Sequence, residues 1–226
     1  MLQTICQKFS GGCMMVMRQH GETASFLGTA FLVHEDGYLL TVAHILPKEG
    51  NLLVVPGDPG SDFVSVSQKR VTTLPVSIAQ RNPDRDVALL RIDQQTEMRL
   101  PDHFLGTAEN MYLGNSIMAM GYSFGHQTLH TLVAMNAVIC AKILSNNQSR
   151  LLLFDSMVHD GDRGGPLISV GDGLVVGIIN GRFDPQEAAG EYTDGSRTVT
   201  AITNISYAIA IEYGIELMEK EGLKAH

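Results

Sequence analysis

Short apolar runs separated by turn-forming residues dominate the middle of this sequence. They are too short for ordinary helices, and their length and aliphatic content are typical of β-strands. Strands are predicted at residues 28–33, 38–42, 52–55, 86–92, 116–120, 151–154 and 174–179. Many short strands of this kind favour an antiparallel all-β architecture, either two barrels or a closed sandwich.

The segments between the strands carry turn chemistry. Asp36-Gly37 predicts a tight hairpin, because these residues tolerate positive φ angles. Surface loops are predicted at residues 56–61, 82–84 and 184–196. No composition shift is long enough for a flexible linker, which favours a single domain over the whole chain.

The C-terminal segment is the only one with a clear helical pattern. Ile211, Ile215 and Met218 recur at helical spacing, with charged residues elsewhere on the wheel. A terminal helix over residues 209–224 is therefore predicted to pack on the β-rich body.

Composition and charge exclude several classes of protein. The 226 residues are 44% hydrophobic and 18% charged, as in ordinary globular proteins rather than disordered chains. The net charge of −8 disfavours a nucleic-acid partner. No apolar run approaches the roughly 20 residues that a spanning helix needs, and charges and glycines interrupt the apolar residues of segment 1–22. We expect no membrane association and a cytoplasmic location.

Metals and cofactors are not expected. The three cysteines are odd in number and lack metal-ligand spacing, and the histidines outside the segments described next show no such spacing either.

Three segments carry residues that support chemistry. Thr41-Val42-Ala43-His44 ends an apolar run, Asp86 opens another, and Gly161-Asp162-Arg163-Gly164-Gly165-Pro166 forms a glycine-rich turn before a strand. Taken singly, the histidine and the aspartate have plain structural explanations. The turn is more specific, because three glycines and a proline in six residues demand unusual backbone angles.

Together these segments resemble the trypsin/chymotrypsin-like serine peptidases, whose motifs read TAAH, DIAL or DVAL, and GDSGGP. The tail NISYAIAIEYGIELM resembles the strand and helix that close HtrA-like bacterial peptidase domains, although no segment resembling a PDZ domain follows. The resemblance covers residues 28–211. It implies two antiparallel six-stranded β-barrels, at about 1–100 and 101–208, followed by the C-terminal helix at 209–224.

The resemblance also implies roles for particular residues. His44 is the expected general base, Asp86 orients it, and the N–H groups of Gly161 and residue 163 form the oxyanion hole. Met157 is expected near the floor of the primary specificity pocket. Ile178, Ile179 and Asn180 lie in a segment that resembles the strand pairing with an extended peptide, with an ordinary buried strand as an equal alternative.

The departure from the family pattern is at Arg163, which stands where the family has its nucleophilic serine. A guanidinium stays protonated and has no oxygen to acylate. Losing this nucleophile costs roughly a millionfold in turnover, so we expect the chain to be inactive as written. Ser156 and Ser169 cannot reach the same point without refolding the turn. The Arg163 side chain has two possible arrangements. It either points to solvent or pairs with a carboxylate, and we favour this arrangement; alternatively, it fills the vacant pocket beside His44.

Activation by chain cleavage is not expected. In activated family members the aspartate before the serine, here Asp162, pairs with a newly cut N-terminus, yet this sequence contains no Ile-Val-Gly-Gly activation segment.

Three functions remain open from the sequence. The first is an endopeptidase lineage in which Arg163 was introduced by cloning or engineering. The second is a natural pseudopeptidase that holds an extended peptide or a protein partner without cutting it. A structural protein that has merely inherited the fold is a weaker third. A polypeptide is the expected partner in the first two.

Overall fold

The structure is a computed structural model, which describes residues 1–57, 63, 71–94, 98, 100–101, 103–184 and 204–224. Within these ranges the chain forms two antiparallel β-barrels flanked by one helix at each end.

The first barrel is closed by six strands. They pair in the order β1-β2-β3-β6-β5-β4, and every recorded pair is antiparallel. The strands are β1 (Cys13–His20), β2 (Thr23–His34), β3 (Tyr38–Val42), β4 (Leu52–Val55), β5 (Leu74–Asn82) and β6 (Val87–Ile92).

The second barrel is also closed by six antiparallel strands, in the order β7-β8-β9-β12-β11-β10. This order is that of the first barrel, although no internal sequence repeat marks the duplication. The predicted double barrel is confirmed. Its strands are β7 (Ser116–Gly121), β8 (Val133–Leu144), β9 (Arg150–Phe154), β10 (Pro166–Ser169), β11 (Val175–Arg182) and β12 (Ser206–Ala210).

Strand β3 has apolar surroundings on both of its faces, as its almost continuous apolar sequence predicts. On β3, Leu39 belongs to the core inside the first barrel, whereas Leu40 belongs to the larger core that includes the second barrel. Helix α2 (Glu212–Lys220) packs on this outer face, where a Cβ on Gly214 would lie 2.5 Å from Leu40 Cδ1. The strand therefore joins the two cores.

The helices differ from the prediction at both ends of the chain. Strand β12 continues to Ala210, so α2 is shorter than the predicted 209–224. Helix α1 (Leu2–Phe9) was not predicted, and the expectation of a helix only at the C-terminus is wrong. Its two buried residues, Ile5 and Phe9, give too few repeats for a periodicity signal.

Helix α1 packs on the second barrel, although it precedes the first in sequence. The Phe9 ring meets Phe104 edge to face with centroids 6.5 Å apart, and Lys8 Nζ donates to the Gly173 carbonyl at 3.4 Å. The chain therefore enters beside the second barrel before it forms the first.

The described hairpin turn between β2 and β3 has the conformation that its sequence predicts. Gly37 adopts a φ of +80° between β2 and β3, as the Asp-Gly pair predicts. Most of the predicted loops at 56–61 and 184–196 lies outside the described residues. The three cysteines are free.

Candidate functional site

His44 and Asp86 meet at the ends of two paired strands. Pairing of Val42 with Val87 in the β3–β6 ladder brings the residues after β3 beside the residue before β6. His44 Nδ1 lies 2.7 Å from Asp86 Oδ2, and the His44 backbone N–H donates to Asp86 Oδ1 at 2.8 Å. The carboxylate thus holds both the ring and the backbone of the histidine, and the ring uses Nδ1 in this contact.

Asn180 supplies a further donor to Asp86 from the second barrel. Its Nδ2 lies 2.6 Å from Asp86 Oδ2, and the residue is only 6% exposed. The sequence resemblance predicts Asn180 in the peptide-pairing strand but does not predict this contact. The available signal was an amide at the end of the apolar run VVGII, since a buried polar side chain needs a partner.

The glycine turn packs closely against the first barrel. Asp160–Asp162 form one turn of 3₁₀-helix, after which Gly164 adopts a φ of +88°. A Cβ on Gly164 would lie 2.1 Å from the Thr29 carbonyl oxygen, and one on Gly161 would lie 2.1 Å from the Tyr122 carbonyl oxygen. Glycine is therefore the residue that fits at both positions.

Hydrogen bonds attach the turn to both barrels. Thr29 Oγ1 donates to the Gly161 carbonyl at 2.7 Å, and the Thr29 N–H donates to the Arg163 carbonyl at 2.8 Å. On the other side, the Gly164 N–H donates to the Ile179 carbonyl at 2.7 Å, and the Ile179 N–H donates to the Gly165 carbonyl at 2.8 Å.

The histidine segment and the turn meet above Gly28. A Cβ there would lie 2.8 Å from both the Arg163 carbonyl oxygen and Ile45 Cδ1, and Ile45 directly follows His44. The structure therefore brings His44, Asp86 and the turn that carries Gly161 and Arg163 together where the barrels join.

The Arg163 side chain has the carboxylate-paired arrangement. Its Nη2 lies 2.8 Å from Asp160 Oδ1, and the side chain is 36% exposed. The guanidinium also lies against β11, because a Cβ on Gly181 would be 3.5 Å from Arg163 Nε.

Asp162 is fully buried beneath the turn. Ser123 Oγ donates to its Oδ1 at 2.6 Å, and the His159 backbone N–H donates to its Oδ2 at 2.8 Å. Burial raises the pKa of Asp162, and these two hydrogen bonds offset part of that rise. Ser123 and the His159 backbone thus satisfy the hydrogen-bonding capacity of this carboxylate, and these bonds fix the buried side of the turn.

The residues expected to contact a peptide differ in their burial. Ile178 and Ile179 are fully buried, and the backbone of Ile179 bonds to the glycine turn. Met157 is 41% exposed in the segment between β9 and the turn. The side chains of the two isoleucines thus belong to the core.

A cavity of about 420 Å³ borders the pair formed by Asp86 and Asn180. Its walls come from the loop before β6, the loop between β8 and β9, and the end of β11. The residues that line it are mostly polar and include Asp84, Arg85, Asn147, Ser149, Arg182 and Phe183.

The described residues contain no group of three or more His, Cys, Asp or Glu side chains placed to hold a metal ion. None of the helices in the described ranges has both the length and the apolar character needed to cross a membrane.

Comparisons with known proteins identify the family of the chain. A family model described as a trypsin-like peptidase domain matches residues 28–178. Among curated relatives, a probable periplasmic serine endoprotease DegP-like from Pseudomonas fulva is 31% identical over 158 residues, covering 69% of this chain and 29% of the relative. Its counterpart from Halomonas elongata is 28% identical over 162 residues, covering 70% and 30%. The chain thus spans less than a third of these relatives.

Solved structures share the fold. The HtrA-type protease AlgW with tripeptide superimposes with a TM-score of 0.69 at 21% identity, covering 97% of this chain and 63% of that one. The same protease with decapeptide gives a TM-score of 0.71 at 18% identity, covering 97% and 67%.

The expected cytoplasmic location is wrong, because these curated relatives are named periplasmic endoproteases. That expectation rested on the lack of a spanning apolar run and on the charges and glycines within segment 1–22, and such features do not determine where a protein is located. The family match covers more than half of the sequence and includes His44, Asp86 and the glycine turn. The chain therefore belongs to the trypsin-like peptidase domain family, and its relatives are of the HtrA/DegP type.

Proposed function

We propose that this chain is a catalytically silent member of its family and that its cleft holds an extended peptide without cleaving it. The observation that carries the proposal is Arg163, which stands in the glycine turn where the resemblance to the family expects the nucleophilic serine, while His44 and Asp86 remain in contact. In this family's chemistry the histidine takes a proton from a hydroxyl, and Arg163 has none to give.

The nearby serines support a silent site. Ser169 is 7% exposed within β10, and Ser156 Oγ lies 3.7 Å from Met135 Sδ. Neither is hydrogen-bonded to His44 in the described contacts. Without a serine activated by the base, turnover falls by roughly a millionfold.

The end of the recorded pairing on one side of β11 supports peptide binding. Pairing with β12 continues to Arg182, which lies opposite Ser206. On the other side, the recorded pairing with β10 ends at Ile178, and the bonds to the glycine turn end at Ile179. The backbone from Asn180 to Arg182 is therefore placed to pair with an added strand. AlgW structures described with a tripeptide and a decapeptide support a peptide as the class of ligand.

An active endopeptidase in which the arginine was introduced is the second candidate. The intact contact between His44 and Asp86, at 2.7 Å, favours it, because the base remains ready for a nucleophile. On this account, restoring serine at position 163 restores cleavage.

The decisive experiment compares three proteins on a quenched fluorescent peptide library and on casein. These are the unchanged chain, Arg163→Ser, and Arg163→Ser combined with His44→Ala. We expect the unchanged chain to cleave nothing and to resist a fluorophosphonate probe, while fluorescein-labelled unfolded peptides bind to it. Labelling of any serine, or cleavage by the unchanged chain, contradicts the proposal. Cleavage by Arg163→Ser that disappears with His44→Ala favours the second candidate, whereas an inert revertant that still binds peptide favours the first.

A further inference from the structure

Arg163 stands beside the backbone segment proposed to pair with a peptide. Its Nε lies 3.5 Å from the position that a Cβ on Gly181 would occupy, and Gly181 is the middle residue of the segment from Asn180 to Arg182. A peptide pairing along this segment would therefore pass the guanidinium.

The Arg163 guanidinium already forms an ion pair with a carboxylate of this chain. Asp160 Oδ1 lies 2.8 Å from Arg163 Nη2, which shows that the side chain accommodates a carboxylate in this position. The pair is weakly held, because Asp160 is 70% exposed and Arg163 is 36% exposed. Asp160 can return to water at small cost, so a ligand carboxylate can take its place.

The charges around Gly181 favour an anionic ligand group. Arg182 follows it on β11, with an exposed side chain whose Nε donates to the Val158 carbonyl at 3.4 Å. Two of the nearby acids are engaged elsewhere. Asp86 accepts from His44 and Asn180, and Asp162 is buried under the turn. The Arg163 guanidinium thus lies against Gly181, and Arg182 adds a second positive charge at the next position of the strand, in a chain whose net charge is −8.

We propose that Arg163 is a carboxylate-binding group and that the cleft selects peptides that present a carboxylate beside Gly181. The inference rests on the peptide-binding function proposed above. A guanidinium can offer a carboxylate two parallel N–H donors, which a serine at this position could not do. The carboxylate comes from an acidic side chain or from the free C-terminus of the peptide, and both present the same chemistry to Arg163.

The test uses an N-terminally fluorescein-labelled octapeptide library, randomised over uncharged residues except at the fourth position. Four matched forms carry Glu or Gln at that position, each with a C-terminal acid or amide. Binding to the full chain is measured by fluorescence anisotropy. We expect one of the two carboxylates, or both, to tighten binding about tenfold or more, as hydrogen bonds to a charged group predict. The Glu and Gln amides isolate the side-chain carboxylate, and the Gln acid and amide isolate the C-terminus.

Substitutions at two residues, Arg163 and Asp160, locate the effect. Arg163→Gln should abolish the preference for carboxylates, and Arg163→Lys should keep only part of it, because an ammonium lacks the planar fork. Asp160→Asn removes the competing carboxylate and should strengthen the preference several-fold. Arg91→Gln and Glu216→Gln make the same changes of charge at exposed positions on β6 and α2, and should leave the preference unchanged. Circular dichroism checks that each variant is folded.

The outcomes separate the two proposals. If all four library forms bind the unchanged chain equally, peptide binding stands and carboxylate recognition is overturned. If the preference survives Arg163→Gln, another group such as Arg182 binds the carboxylate, and the inference is likewise overturned. If no form binds, the proposed function fails together with the inference.

Discussion

Gly164 is the residue at which the glycine turn depends most directly on the absence of a side chain. Its φ is +88°, and a Cβ would lie 2.1 Å from both the Thr29 carbonyl oxygen and Thr41 Oγ1. We expect Gly164→Ala to lower the free energy of unfolding by about 3 kcal/mol or more, since backbone strain and overpacking add together. Urea denaturation followed by circular dichroism measures the loss.

Gly173 provides the matched control for this substitution. It also has a positive φ, of +71°, but a Cβ there would meet nothing within 4 Å. Gly173→Ala should therefore show only the backbone cost, about 1 kcal/mol. Equal losses for the two variants would show that the close approach at Gly164 does not matter.

Asp162 makes stability depend on pH. Because burial raises its pKa in the folded state above the ordinary value of 3.8, the native state binds this proton more tightly than the unfolded chain does. This contribution to stability is fully present below the unfolded pKa and is lost as pH rises through the folded pKa. Asp162→Asn cannot titrate, so the Tm of the variant minus that of the unchanged chain should increase from pH 4 towards neutrality.

The slope of this difference is the readout, because the amide also alters the hydrogen bonds to Ser123 and His159. Asp155→Asn controls for the loss of one negative charge, since Asp155 is exposed and also accepts a backbone N–H, from Val138 at 2.7 Å. A Tm difference for Asp162→Asn that stays flat or falls with pH would contradict the predicted direction. Differential scanning calorimetry between pH 4 and 8 provides the measurements.

Among the elements, helix α1 tests whether a segment preceding the first barrel stabilises the molecule through the second. Phe9 is 7% exposed and contacts Phe104. Phe9→Ala should cost about 3 kcal/mol, as is usual for truncating a buried phenylalanine. Leu2 belongs to the same helix but is 40% exposed, so Leu2→Ala should change the free energy of unfolding by about 0.5 kcal/mol or less. Chemical denaturation distinguishes the two, and a similar small effect of both would mean that α1 does not dock stably.

The strands show how far local sequence specifies each element. The predicted bounds of β3 and β4 agree with the structure, because both are compact apolar runs with turn residues nearby. Strand β5 gave no such signal, since Val76 is the only residue of its nine that is buried. Strand β8 is mostly apolar, but Asn136, Lys142 and several small residues interrupt its larger apolar side chains over twelve positions. Such strands are defined by their neighbours in the barrel more than by their own periodicity.

At the scale of the whole molecule, motifs predicted which residues meet but not which other residues hold them. His44, Asp86 and the glycine turn each carry a local signal, and the structure brings them together. The contact from Asn180 to Asp86 spans 94 positions along the chain, and that from Ser123 to Asp162 spans 39. Contacts of this kind depend on the register of closed barrels, which no local pattern encodes.

Arg85 provides a contact between the barrels directly beside the site. It precedes Asp86 in the loop before β6, and its Nη1 donates to the Asn147 carbonyl at 2.8 Å and to Ser149 Oγ at 3.0 Å, both between β8 and β9. Its guanidinium also lies 4.9 Å from the centroid of the Tyr213 ring on α2. The position of Asp86 is therefore coupled to the second barrel through its own neighbour.

This coupling predicts that Arg85→Ala lowers the free energy of unfolding by about 2 kcal/mol, through lost charged hydrogen bonds and a lost cation–π contact. Arg91→Ala is the matched control, because Arg91 also lies over a tyrosine, Tyr38 at 5.5 Å, but within the first barrel and with an exposed side chain. We expect a loss of about 0.5 kcal/mol there. A double-mutant cycle between Arg85→Ala and Tyr213→Leu should give a coupling of about 1 kcal/mol or less, so that most of the loss comes from the hydrogen bonds. If Arg85→Ala costs no more than Arg91→Ala, the loop before Asp86 is held by the first barrel alone.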